Sequence, residues 1–136
     1  MATAVVYLDF ADALMLHFEL MWLYGETRFG VFAEDLIESA LARPQHAAVY
    51  ESAGLVRQAA TLCFGFIKNH PWTGGNKRTA TALTEEFLRR NGWQVQAALT
   101  EIIALSLAIE ADRFGVDEIE AWYRQHTTPM FTPTER

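Results

Sequence analysis

The residues best suited to chemistry lie together in His70-Pro71-Trp72-Thr73-Gly74-Gly75-Asn76-Lys77-Arg78-Thr79-Ala80. From His70 to Arg78 the chain brings together an imidazole, a glycine pair, an amide and two cations. An imidazole titrates near neutrality, so His70 is suited to take a proton from a hydroxyl at pH 7. Gly74 and Gly75 precede the start of a helix, where unpaired backbone N–H groups and the positive end of the dipole attract anions. Lys77 and Arg78 fall in the first helical turn, where a cation is unfavourable unless an anion sits beside it. Polyphosphate is the natural candidate, because arginine offers a planar fork to phosphate oxygens and lysine a compact point charge. Base, loop and cations together are the parts needed to transfer a phosphorus-containing group to a protein hydroxyl. The plainer alternative is that His70 and Asn76 cap helix ends while Lys77 and Arg78 are solvated. A Walker A loop, GxxxxGK[ST], occurs nowhere in the chain.

Two helices must flank this loop. Leu55 to Asn69 is apolar almost all round, as expected of the central helix of a domain. It ends at His70-Pro71, because a residue before proline is pushed out of helical geometry. The next helix runs from about Asn76 to Arg90 with an apolar stripe of Ala80, Leu83, Phe87 and Leu88, and Asn91-Gly92 supplies its left-handed cap. Upstream, Asp9 to Tyr24 has helical periodicity with Asp9 as its cap and Gly25 as its close. Glu34 to Ala42 reads as a short helix stopped by Pro44, with His46 to Gly54 irregular. Downstream, Gly92 to Ala97 has room for a short extended piece. Thr100 to Ala111 and Asp117 to Gln125 read as helices capped by Thr100 and Asp117. The expected architecture is an all-α, compact bundle of about six helices with the motif loop between two central ones. It occupies residues 1–126, followed by an aperiodic and flexible tail over residues 127–136.

Composition narrows the function classes. The 136 residues are 51% hydrophobic and 21% charged, with mean hydropathy +0.02, which suits one globular domain. A net charge of −6 disfavours general nucleic-acid binding, which needs a basic face. One cysteine, Cys63, forms no intramolecular disulfide, and its apolar neighbours mark it as a core residue. No apolar run approaches a membrane span and no leader pattern opens the chain, so a cytoplasmic setting without membrane contact is expected. His17, His46 and His126 stand alone and read as structural or surface residues. Trp22, Trp93 and Trp122 read as core.

The window His70 to Ala80 resembles the core motif of the Fic/Doc superfamily, HPFx[D/E]GN[G/K]R, in the variant with lysine after the asparagine that is typical of the Doc (death on curing) branch, the toxins of Phd–Doc addiction modules. Two flanking stretches carry the likeness further. Leu36 to Gln45 resembles the upstream signature of Doc-like proteins, and Phe87-Leu88-Arg89-Arg90-Asn91-Gly92 the end of their motif helix. The resemblance implies a Fic-fold domain that uses ATP and Mg²⁺ as a protein serine/threonine kinase. The implied substrate is elongation factor Tu, and the implied partner a Phd-like antitoxin whose C-terminal segment folds on docking. By position, it implies His70 as general base, with Asn76, Lys77 and Arg78 holding phosphate oxygens and the Gly74-Gly75 backbone assisting. Trp72 would anchor the loop in the core.

Fic proteins that transfer AMP have glycine where this chain has Lys77 and a second arginine where it has Thr81. That disfavours the adenylyltransferase alternative. A third reading is a domain that binds nucleotide or antitoxin without catalysis. One position departs from the family: its acidic Mg²⁺ ligand falls at Gly74, which has no side chain. Three explanations compete: a degenerate toxin, metal held by other groups, or an inactivated variant.

Overall fold

The computed structural model describes residues 4–130. Six helices are joined by short connections: α1 (Phe10–Leu23), α2 (Glu34–Glu51), α3 (Leu55–Asn69), α4 (Asn76–Arg90), α5 (Leu99–Glu110) and α6 (Val116–His126). Two short strands, β1 (Trp93–Val95) and β2 (Thr127–Pro129), pair antiparallel with Trp93 opposite Pro129. The all-α architecture expected from the periodicities is the one observed, with the motif loop between α3 and α4.

α3 is the axis of the bundle and packs against α2, α4, α5 and α6. Its nine buried residues include Ala59, Ala60, Leu62, Cys63, Phe66 and Ile67, the all-round apolar pattern read from the sequence. Small residues let its neighbours come close. A Cβ at Gly65 would lie 2.6 Å from the Arg43 side chain and 3.3 Å from Ala40 Cβ on α2. Cys63 is buried beside the Tyr123 hydroxyl, 3.8 Å away, and burial pushes its thiol up to about 11, which fits a core residue.

Helix α1 begins with a reciprocal cap. The Asp12 N–H donates to Asp9 Oδ1 at 2.8 Å, and the Asp9 N–H donates to Asp12 Oδ2 at 3.0 Å. Gly92 adopts φ +88° after α4, the left-handed close expected there. Thr100 and Asp117 are not caps. They lie inside the first turns of α5 and α6, which start from Ala98 and Gly115, whose N–H groups donate to Glu101 and Glu118.

The larger differences are in α2 and after α6. α2 does not stop at Pro44 but continues seven residues further, to Glu51. Proline in a helix interior removes one backbone hydrogen bond and costs about 3 kcal/mol. Here Ile37, Ala40, Pro44 and Ala47 form one buried stripe at helical spacing, so breaking the helix would strip Pro44 and Ala47 from the core. Packing outweighs propensity. The first residues of the expected tail are paired. Thr127–Pro129 pair with β1, and the Met130 N–H donates to the Gly92 carbonyl at 2.9 Å. Residues 131–136 of that tail lie outside the described residues. Among the described residues, no helix is long and apolar enough to cross a membrane.

If residues 46–54 were irregular and solvated, a charge at Ala47 would be harmless. Because Ala47 is buried on the α2 stripe, Ala47→Asp should destabilise the protein by about 3 kcal/mol or more, read from urea unfolding.

Candidate functional site

The α3–α4 turn is built from two left-handed residues. His70 closes α3 at φ +52°, and Gly75 opens α4 at φ +70°. Between them Trp72 is buried, stacked on the His17 ring at 4.0 Å with an interplanar angle of 12°. Asn76 pins it from the other side: its Oδ1 accepts from the Trp72 N–H and its Nδ2 donates to the Trp72 carbonyl, each at 2.9 Å. Both polar atoms of Asn76 therefore hold the loop.

Gly75 has no side chain to cap α4, so the first N–H groups of the helix, from Asn76 to Arg78, have no side-chain partner at this end. They border a cavity of about 580 Å³. Gly75, Asn76, Lys77, Arg78 and Thr81 form one wall, and Leu99, Ile102, Ile103 and Leu107 of α5 form an apolar one. Tyr24, Glu26 and Glu85 also line it. Lys77 and Arg78 share this cavity but lean to different sides. Lys77 Nζ meets Glu110 Oε2 at 3.1 Å, while Arg78 Nη1 meets Glu26 Oε1 at 3.2 Å and its guanidinium lies 4.0 Å above the Tyr24 ring. Both pairs are half exposed, so each is weak and screened by water.

His70 is exposed and does not line the cavity; it lies across the turn from it. Its Nδ1 is 3.2 Å from the Ile67 carbonyl. A carbonyl only accepts, so in the neutral ring the proton is on Nδ1 and the lone pair on Nε2.

A strap of nine residues, Gly25 to Ala33, lies along the loop. Thr73 N–H donates to the Gly30 carbonyl at 2.9 Å, and the Phe32 and Ala33 N–H groups both donate to the Pro71 carbonyl. Val31 and Trp72 form a single antiparallel bridge. His17 joins strap and loop. Gly30 N–H donates to its Nε2 at 2.9 Å, which fixes the proton on Nδ1 and makes Nδ1 the donor to Thr79 Oγ1, also at 2.9 Å. Burial holds this imidazole down at about 4. From the sequence alone His17 reads as a structural or surface residue, and no signal there announces that three separate segments meet on this ring.

Gly74 lies under the strap. A Cβ there would sit 2.3 Å from the Arg28 carbonyl oxygen. Position 74 does not fit a protein-held Mg²⁺, because Gly74 offers no side-chain oxygen; the carboxylates that line the cavity are Glu26, paired with Arg78, and Glu85.

A family model described as Fic/DOC family matches residues 7–88, more than half of the chain and including the whole loop. The chain belongs to the Fic/DOC family. Among curated relatives, Toxin Doc from Mycolicibacterium smegmatis (strain ATCC 700084 / mc(2)155) is 43% identical over 65 residues, which are 46% of this chain and 49% of that protein. This Fic/DOC chain thus spans about half the length of the curated relative it matches.

His17 makes this site acid-sensitive. The unfolded chain takes up its proton near pH 6.5, whereas the folded protein resists it down to about 4. Stability should therefore fall as pH drops through that interval, by about 3 kcal/mol at pH 4, and the contribution should vanish in His17→Gln. Urea unfolding at a series of pH values reads both.

Proposed function

We propose that this protein is a Doc-like toxin that transfers the γ-phosphoryl group of ATP to a hydroxyl of a translation factor of the elongation factor Tu class, restrained in the cytoplasm by a Phd-like antitoxin. The observation that carries the reading is the pairing of two things across one turn. On one side are the uncapped N–H groups of α4 with Lys77 and Arg78, facing a cavity large enough for a nucleotide. On the other is His70 with Nε2 free to accept a proton. The apolar α5 wall beside the cations suits a flat base next to a charged phosphate chain.

In this reading the phosphate chain runs from the α4 N-terminus along the Gly74-Gly75 turn toward His70. The target hydroxyl oxygen attacks the γ-phosphorus, the bond to the bridging oxygen breaks and ADP leaves. The hydroxyl proton passes to His70 Nε2. Lys77 and Arg78 would exchange Glu110 and Glu26 for phosphate oxygens, and Asn76 acts through Trp72, by holding the turn that aims the N–H groups. With no carboxylate at Gly74, no step is assigned to a protein-held Mg²⁺. Thr81 on the cavity wall, in place of a second arginine, supports phosphoryl over adenylyl transfer. A second reading, a domain that binds nucleotide or antitoxin without catalysis, is favoured by one observation: the Asn76 side chain is committed to the loop.

Incubation with ATP labelled at the γ- or the α-phosphate, Mg²⁺ and elongation factor Tu separates these readings. Transfer of γ-label is expected, reduced at least about 100-fold in His70→Ala. Uptake of α-label would make the protein an AMP transferase, and ATP binding without any transfer would make it a binding domain. Since the Lys77 and Arg78 pairs must open for phosphate, Glu110→Gln and Glu26→Gln should each tighten ATP binding about twofold to fivefold by calorimetry, the range for exposed pairs.

A further inference from the structure

Two glycines stand in the turn, and what crowds them differs. At Gly75 an added Cβ would meet the Met21 side chain at 2.5 Å, the end of a flexible thioether. At Gly74 it would meet the main chain of Arg28, with the carbonyl oxygen at 2.3 Å and the carbonyl carbon at 3.2 Å. Ordinary contact begins at 3.4 Å, so the strap itself would have to retreat. A side chain turns aside at little cost, but a pinned backbone does not. This one is pinned on both flanks of Arg28: on one by the Glu26 N–H, which donates to the Met21 carbonyl at 2.9 Å, and on the other by Gly30, whose N–H is held by His17 and whose carbonyl accepts from Thr73.

We infer that Gly74 is glycine because the backbone of Arg28 occupies the place of its side chain, so that strap packing, and not a metal-binding carboxylate, closes this end of the site. A closed strap and an acidic residue at position 74 are mutually exclusive. Gly74 is then a residue on which the surrounding fold is built, and reversing it to aspartate opens the strap before it supplies a ligand. The consequence for the ligand rests on the nucleotide reading above: ATP is held by N–H groups and the two cations, with little dependence on Mg²⁺.

The test compares the full chain with Gly74→Ala and Gly74→Asp. Trypsin cleavage after Arg28 and thermal unfolding are followed without ligand, and ATP affinity is measured in EDTA and in Mg²⁺. Both variants should unfold at lower temperature and be cut after Arg28 about tenfold faster, since opening of the strap exposes that bond. The wild-type dissociation constant for ATP should differ by less than about threefold between the two buffers. Gly74→Asp with wild-type stability and cleavage rate overturns the packing argument. A loss of ATP affinity of about tenfold or more in EDTA overturns the metal argument. No ATP binding by the wild type in either buffer overturns the nucleotide reading, and the metal argument with it, while the ligand-free cleavage rates still decide what Gly74 is for.

Discussion

The site depends on Trp72 being immobile. Its indole lies between His17 and Phe66, stacked at 4.0 and 6.4 Å, and the Asn76 amide grips its backbone at both N–H and carbonyl. The indole N–H has no acceptor among the described residues, so stacking and the backbone grip hold the ring without help from that group. Fixing Trp72 fixes the turn, and the turn fixes where α4 begins. The direction of the uncapped N–H groups, and the separation of His70 from the cations, both follow from that start.

The same ring explains why strap and loop behave as one unit. His17 faces Trp72 with its flat side and uses its two nitrogens at the edge, one accepting from Gly30 and the other donating to Thr79. A charged imidazole has no lone pair for Gly30, so the ring must stay neutral for the strap to stay shut. Burial secures this, because desolvation penalises the charged form.

Elements with strong periodicity were readable in the sequence: α1, α3 and α4 with their ends, Cys63 as core, and the clustering of Gly75 to Arg78 at one helix start. What escaped it depends on contacts between distant segments. Pro44 locally argues for a stop, and only the buried stripe through Ala47 shows why the helix persists. Asn76 reads as a phosphate ligand by its type; that its amide also grips the Trp72 backbone is a matter of geometry. Trp22, expected in the core, is 85% exposed, since the face of α1 buried at Ala13, His17 and Met21 lies elsewhere on that helix. Gly74 reads from sequence as a missing ligand. Only the Arg28 carbonyl reveals a second reason for its being glycine.

At the far end of α4 the chain gathers in a different way. The Asn91 side chain accepts from the Val6 N–H and donates to the Val6 carbonyl, while the Met130 N–H bonds the carbonyl of neighbouring Gly92. Val6 and Met130 thus meet at one knot, separated from Gly75 by the fifteen residues of α4, a rise of about 20 Å. A fluorophore or surface tether joined at that knot would leave the cavity mouth unshadowed.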